Sequence, residues 1–279
     1  MPFSLLMCGY PTADAPMAAM QGPAVQGMFL HLIEMVDVDV NRRLHNDDKY
    51  RPYTVSPLGL GDPGQHLYGN WLAREARVAR GTPCYVRLTL LEDALFPTFA
   101  RYFLEHVNPT FRLGDTEFVV TDVMGENHAR TLWNQYVTYA ELIQRASAQQ
   151  RKITLNFLTP TSFRRGNVDF PLPDPRLVFG SYHKRLSDFE PVTFLPDFEA
   201  QVEYYTGIAH LDKLRTDLVQ TKKIPLVGFT GRVTYEIDRR APAELILQMN
   251  LLADYAFFCG TGRKTAVGMG QTVRLAHER

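Results

Sequence analysis

The stretch richest in chemistry is Phe257–Gly270. Gly260-Thr261-Gly262 and Gly268-Met269-Gly270 bracket five residues that include Arg263 and Lys264. Glycine lets a backbone approach a ligand closely and turn its N–H groups toward an anion. The two cations add charge suited to a phosphate backbone. A tight turn also needs glycine for conformational reasons alone, and that reading stands beside the first. The loop is not a Walker A, because no G-x-x-x-x-G-K-S/T string occurs. A dinucleotide fingerprint would need glycine at position 265, where Thr265 stands, and a strand-to-helix order. Here a helical pattern precedes the loop and a strand pattern follows it. Further basic pairs are Arg164-Arg165, Lys184-Arg185 and Lys222-Lys223. Each reads as phosphate contact or as exposed solubilising charge. Phe163 and Tyr182 beside them read as base-stacking rings or as core.

Histidine titrates near neutrality and serves as base or acid. His45 ends a helical pattern and opens the polar run Asn46-Asp47-Asp48-Lys49-Tyr50. Lys49 is placed to steady a developing negative charge, and Tyr50 to donate a hydroxyl. The plainer readings are a helix cap for His45 and a solvated loop charge for Lys49. His31 lies fourteen residues earlier on the same pattern, about 21 Å away on an unbroken helix. The two cannot share one phosphate unless the helix breaks. Val36-Asp37-Val38-Asp39-Val40, β-branched and acidic, is the place for a break. For His31 the favoured reading is a partly buried histidine. No His pair has the i, i+4 spacing of a zincin. Asp37/Asp39 and Asp47/Asp48 read as solvated charge before magnesium ligands. No metal site and no cofactor are predicted.

These residues need elements to hold them. Phe3–Tyr10 reads as a strand and Val25–His45 as a helix with Met28, Leu32, Met35 and Val36 on one face. Strands at 53–58 and 84–91, a helix at 92–107 and a strand at 117–123 follow. The order β-α-β-β-α-β is that of a split βαβ, ferredoxin-like unit. The second half repeats it less cleanly: a strand at 152–158, a short helix at 177–186, and a strand at 227–237 with Gly231 at a bulge. A helix at 243–253 and a closing strand at 273–275 complete it. The expected fold is α+β, two tandem ferredoxin-like (RRM-like) domains over 1–125 and 126–279.

The G-x-G-x5-G-x-G loop near the C-terminus resembles that of the Cas6 endoribonucleases, which process CRISPR precursor RNA. Leu44-His45 followed by Pro52-Tyr53-Thr54-Val55-Ser56-Pro57-Leu58 is similar to the family's helix end, loop and second strand. Ile153–Phe157 followed by Leu158-Thr159-Pro160-Thr161-Ser162-Phe163-Arg164 resembles the opening of its second domain. The resemblance implies two ferredoxin-like domains and metal-independent cleavage, in which a 2′-hydroxyl attacks the adjacent phosphate. The products are a 2′,3′-cyclic phosphate and a 5′-hydroxyl. It implies His45 as the first catalytic candidate, with Lys49 stabilising charge and His31 or Tyr50 as the second acid–base partner. It implies RNA contacts at Gly260, Gly262, Arg263, Lys264, Gly268, Gly270, Arg164, Arg165, Lys184 and Arg185. The partners it implies are CRISPR repeat RNA, a CRISPR effector complex and a second copy of the chain. The alternative is a non-catalytic RNA-binding subunit of an effector complex with the same fold.

Composition bounds these readings. In 279 residues, 45% are hydrophobic and 22% charged, which suits one large or two ordinary globular domains. Thirty Lys and Arg balance thirty Asp and Glu, so a polybasic coat is excluded. The balance is uneven along the chain. Residues 1–150 carry 12 basic and 16 acidic residues, and residues 151–279 carry 18 and 14, giving −4 and +4. Cys8, Cys84 and Cys259 form no C-x-x-C pair and fit buried thiols in a reducing compartment. No apolar run approaches the roughly 18 residues of a membrane span, and Met1–Tyr10 lacks a basic leader. A cytoplasmic protein with no membrane partner is expected.

Overall fold

The computed structural model describes residues 1–46, 51–64, 71, 75–125, 131–219 and 225–276. The chain divides into two compact units. One comprises Met1–Val137 with Ala266–Gly268, the other Thr138–Thr265 with Met269–Arg279. The division falls at 137/138, where 125/126 was expected. Residues 135–136 add a short antiparallel pairing to Phe3 and Ser4, which ties that stretch to the first unit.

In the first unit, β1 (Phe3–Pro11) lies at the centre of an antiparallel sheet. The helices α1 (Gly22–Val36) and α2 (Val38–Asn46) follow it, then β2 (Tyr53–Val55), β3 (Cys84–Leu90) and α3 (Leu95–Glu105). A hairpin of β4 (Thr110–Leu113) and β5 (Thr116–Met124) completes it. The strand order is β2-β3-β1-β5-β4. All seven residues of β3 are buried, the polar Arg87 and Thr89 of its alternating pattern included. Val25, Phe29, Leu32 and Ile33 of α1 pack with Phe99 of α3 and Tyr53 of β2 in one core. Met35, expected on that face, is half exposed.

The single helix expected over 25–45 is two. Asp37 takes an extended conformation, φ −154 and ψ 102. Its N–H donates to the Ile33 carbonyl at 2.8 Å, which ends α1. Its Oδ1 accepts from the N–H groups of Asp39 and Val40 at 3.0 Å, which starts α2. A short carboxylate competes with helical bonding in mid-helix and satisfies the free N–H groups at a helix start. The break therefore needs neither Pro nor Gly.

The second unit opens with α4 (Tyr139–Arg145), held by a capping box of Thr138 and Glu141. Then come β6 (Lys152–Thr161), the hairpin β7 (Phe163–Arg165) and β8 (Val168–Phe170), α5 (Pro175–Phe189) and α6 (Phe198–Tyr205). The long strands β9 (Thr206–Val219) and β10 (Leu226–Ile237) lead to α7 (Ala243–Cys259) and β11 (Thr272–Leu275). The sheet order β9-β10-β6-β11 matches β2-β3-β1-β5 of the first unit, so both are ferredoxin-like. Six elements went unread in the sequence: β4, α4, β7, β8, α6 and β9. Most β9 side chains are exposed, so the strand carries no apolar alternation to read. The bulge expected at Gly231 is real. Its φ is +131, and a Cβ there would lie 2.8 Å from the Lys213 carbonyl oxygen, where β9 slips register. Among the described residues, no helix is long and apolar enough to cross a membrane.

Candidate active site and nucleic-acid interface

His45 stands exposed on the last turn of α2. The residue before it, Leu44, is fully buried in the core of the first unit. Arg51 donates from Nη1 to the Leu44 carbonyl and so closes the C-terminal end of α2. Arg43 makes a two-pronged bond to the Glu92 carboxylate, 2.8 and 3.2 Å. One apolar anchor and two arginines thus fix the turn that presents His45. Arg51 and Glu92 were missed in the sequence, because both act across a loop.

His31 sits on α1, beyond the break, with its side chain 65% exposed and Nδ1 3.6 Å from Glu34 Oε2. It is a surface histidine, not the partly buried one expected. Lys49 and Tyr50 lie outside the described residues, as do Asp47, Asp48 and Lys222-Lys223. Among the described residues, no three of His, Cys, Asp and Glu gather as a metal-binding group. The thiols of Cys84 and Cys259 are buried and that of Cys8 is half-buried. Burial pushes Cys8 and Cys84 up to about 12, which keeps them protonated and unreactive.

The glycine loop is folded on itself. All four glycines have positive φ, between 64 and 90. The Thr261 N–H donates to the Gly270 carbonyl at 2.8 Å, and the Gly270 N–H to the Pro160 carbonyl at 3.1 Å. The Arg263 N–H donates to Ser162 O at 2.9 Å. The Gly262 N–H donates to Ser181 Oγ at 3.3 Å. A Cβ on Gly270 would lie 2.1 Å from the Thr261 carbonyl oxygen, and one on Gly262 2.4 Å from Ser162 O. These N–H groups are spent on the loop's own backbone and its neighbours, so the glycines are there for close approach. Beneath the loop, the Tyr182 hydroxyl meets Thr261 Oγ1 at 2.6 Å, and Thr261 Oγ1 meets Thr272 Oγ1 at 2.7 Å. Tyr182 is fully buried, and burial pushes its phenol far up. It is an anchor, not a stacking surface.

Arg185 belongs to the same anchor. It is 5% exposed and donates to the carbonyls of Cys259 and Gly262, the latter at 2.6 Å. Its place is under the loop and not on its face. Lys184, next in sequence, is exposed and paired with Glu199 at 3.0 Å. Arg164, Arg165, Arg263 and Lys264 come together differently. The β7–β8 hairpin turns at Gly166, φ +61, and joins the loop through the Ser162–Arg263 bond. Arg164 and Arg165 are exposed on it. Arg164 Nε donates to Gly166 O at 3.2 Å, and the Arg165 guanidinium lies 5.4 Å from the Phe170 ring centroid. Arg263, three-quarters buried, is ion-paired with Asp169 of the same hairpin. Lys264 takes φ +59 at the exposed tip. Asp169 was missed in the sequence. The Gly166-Asn167 turn between β-prone residues was the signal that would have placed it opposite Arg164.

Both halves match family models in order. The model for the CRISPR Cas6 N-terminal domain covers residues 1–144, and that for the CRISPR-associated endoribonuclease Cas6 covers 155–272. The chain belongs to the Cas6 family. A CRISPR-associated endoribonuclease Cas6 of Mycobacterium tuberculosis is 26% identical over 268 residues, 92% of this chain and 74% of that one. Among solved structures, a Cas6 product complex is similar with a TM-score of 0.81 and 28% identity. It covers 99% of this chain and all of the other. A Cas6 substrate mimic complex has a TM-score of 0.71 and 26% identity, with 99% and 100% covered. The Cas6 family is one of RNA-cleaving enzymes, and this chain carries both of its domains.

Proposed function

We propose that this protein cleaves CRISPR repeat RNA to mature crRNA without a metal ion, with His45 as a general acid–base group. A base takes the proton of the 2′-hydroxyl, and the 2′-oxygen attacks the adjacent phosphorus. The 5′-oxygen of the next nucleotide leaves and is protonated. A 2′,3′-cyclic phosphate and a 5′-hydroxyl result. Lys49 steadies the charge on the phosphorane, and Tyr50 or His31 supplies the second proton-transfer group. Arg164, Arg165, Arg263 and Lys264 hold the RNA backbone, the glycines of the loop shape the surface that carries them, and Lys184 supplies a further phosphate contact. The repeat RNA is the primary partner, and an effector complex and a second copy of the chain are further ones. The observation that carries the reading is the exposed His45 on a helix end anchored by Leu44, Arg43 and Arg51, in a chain with both Cas6 domains.

The test is cleavage of CRISPR repeat RNA from the source genome, in EDTA. Cutting should persist in EDTA and stop when the scissile nucleotide is 2′-deoxy. His45→Ala should lose roughly 10²- to 10⁴-fold in rate, the worth of one acid–base group, with RNA affinity kept. Loss of cutting in EDTA would refute the mechanism. An unchanged His45→Ala rate would move the role to His31 or Tyr50. RNA bound and left intact would favour the non-catalytic subunit.

A further inference from the structure

The hairpin that carries Arg164 and Arg165 also carries a carboxylate. Asp169 stands directly across the strands from Arg164, and its side chain is ion-paired with Arg263 from the glycine loop. The pair is built in from both sides. Arg263 is fixed at its backbone by the bond to Ser162 O, on a glycine that tolerates no Cβ. Asp169 is fixed by the β7–β8 register. Both side chains are about three-quarters buried, so the pair is screened less than a surface pair. A surface shaped only for phosphate gains nothing from a carboxylate among its arginines, because it repels the ligand and neutralises a cation. A carboxylate does suit the N–H donors on the edge of an unstacked base.

We propose that Asp169 is a specificity-determining residue, which withholds Arg263 from indiscriminate polyanions and releases it when a base N–H donor takes the arginine's place on the carboxylate. The proposal rests on the RNA-binding reading above. Polyanions without bases offer no such donor, so the Arg263–Asp169 pair stays closed against them. An RNA whose base reaches Asp169 gains a charge-assisted hydrogen bond and one further phosphate contact in the same step.

The test is Asp169→Asn, which keeps shape and removes charge. Two ligands are compared, the repeat RNA and inorganic polyphosphate, a polyanion without bases. Repeat-RNA affinity should fall about tenfold, the scale of one lost base contact. Polyphosphate affinity should rise about threefold, with a salt slope steeper by about 0.7. In an Arg263→Gln background the polyphosphate gain should vanish. Shifts in the same direction for both ligands, no shift for either, or a gain that survives Arg263→Gln would overturn the gate. A wild-type protein that binds no repeat RNA would instead overturn the reading on which the gate rests. A thermal melt of each variant separates these results from unfolding.

Discussion

Lys184 and Arg185 are neighbours in sequence and inhabit different environments. Successive side chains on a helix point about 100° apart, so one faces Glu199 at the surface and the other the underside of the glycine loop. Arg185→Met should leave the carbonyls of Cys259 and Gly262 without that donor, at a cost of about 1–3 kcal/mol. Arg164→Ala should shift stability by less than about 0.5 kcal/mol and weaken RNA binding. Urea titration beside an RNA-binding isotherm distinguishes the two. Gly270→Ala forces a Cβ onto the Thr261 carbonyl at φ +71. It should destabilise the second unit by more than about 2 kcal/mol, the scale of strained backbone at such a site. An unchanged melting midpoint would count against the folded-back loop. The sequence names these glycines and cations correctly as one loop. It hides what the loop touches, because Ser162, Pro160 and Ser181 lie roughly a hundred residues away and leave no local trace.

Among the elements, α2 is the one on which the chemistry is proposed to depend, and Asp37 sets where it begins. Asp37→Ala removes the acceptor of two N–H groups and should cost about 1 kcal/mol, the typical worth of an N-cap. Cleavage should slow while RNA affinity holds, and Asp37→Asn should rescue the rate. The break was legible because alternating valine and aspartate suit a helix interior poorly. A second prediction concerns α5. His183 packs its ring 4.4 Å from Phe194 and 5.0 Å from Phe198, centroid to centroid. Burial holds it below the usual histidine value, with Lys184 adding to the effect and Glu199 opposing it. A base whose folded value is depressed takes up protons more readily when unfolded. Its stabilisation is complete above the ordinary value near 6.5 and is lost as pH falls toward the folded one. The melting temperature should therefore drop between pH 7 and 5, and His183→Phe should flatten that slope. Equal slopes for the two proteins would remove His183 as the cause.

For the whole molecule, the zero net charge conceals a division. The residues before 151 sum to −4 and the rest to +4, and the basic hairpin and the loop's Arg263 and Lys264 lie in the second unit. If Arg164, Arg165, Arg263 and Lys264 carry the contact, the logarithm of affinity should fall with a slope near −3 against the logarithm of salt, at about 0.7 per neutralised phosphate. A slope near −8 in a fluorescence titration would require a much larger basic surface. The two ferredoxin-like units share a strand order without a visible sequence repeat, because the shared property is which residues are buried, and many apolar sets fill one core. The strand hardest to read, β9, has a consequence of its own. It is fourteen residues long and lies at the end of its sheet, and it exposes Ile208, Leu211 and Leu218. An edge of that length is a template on which other chains can polymerise. The two register slips, the left-handed Lys213 and the charges of Asp212, Arg215 and Asp217 roughen it. Deleting Ala209 and Lys213, one extra residue at each slip, should straighten the edge and make the protein precipitate in a concentration-dependent way. In this sense the irregularity opposite Gly231 preserves colloidal solubility.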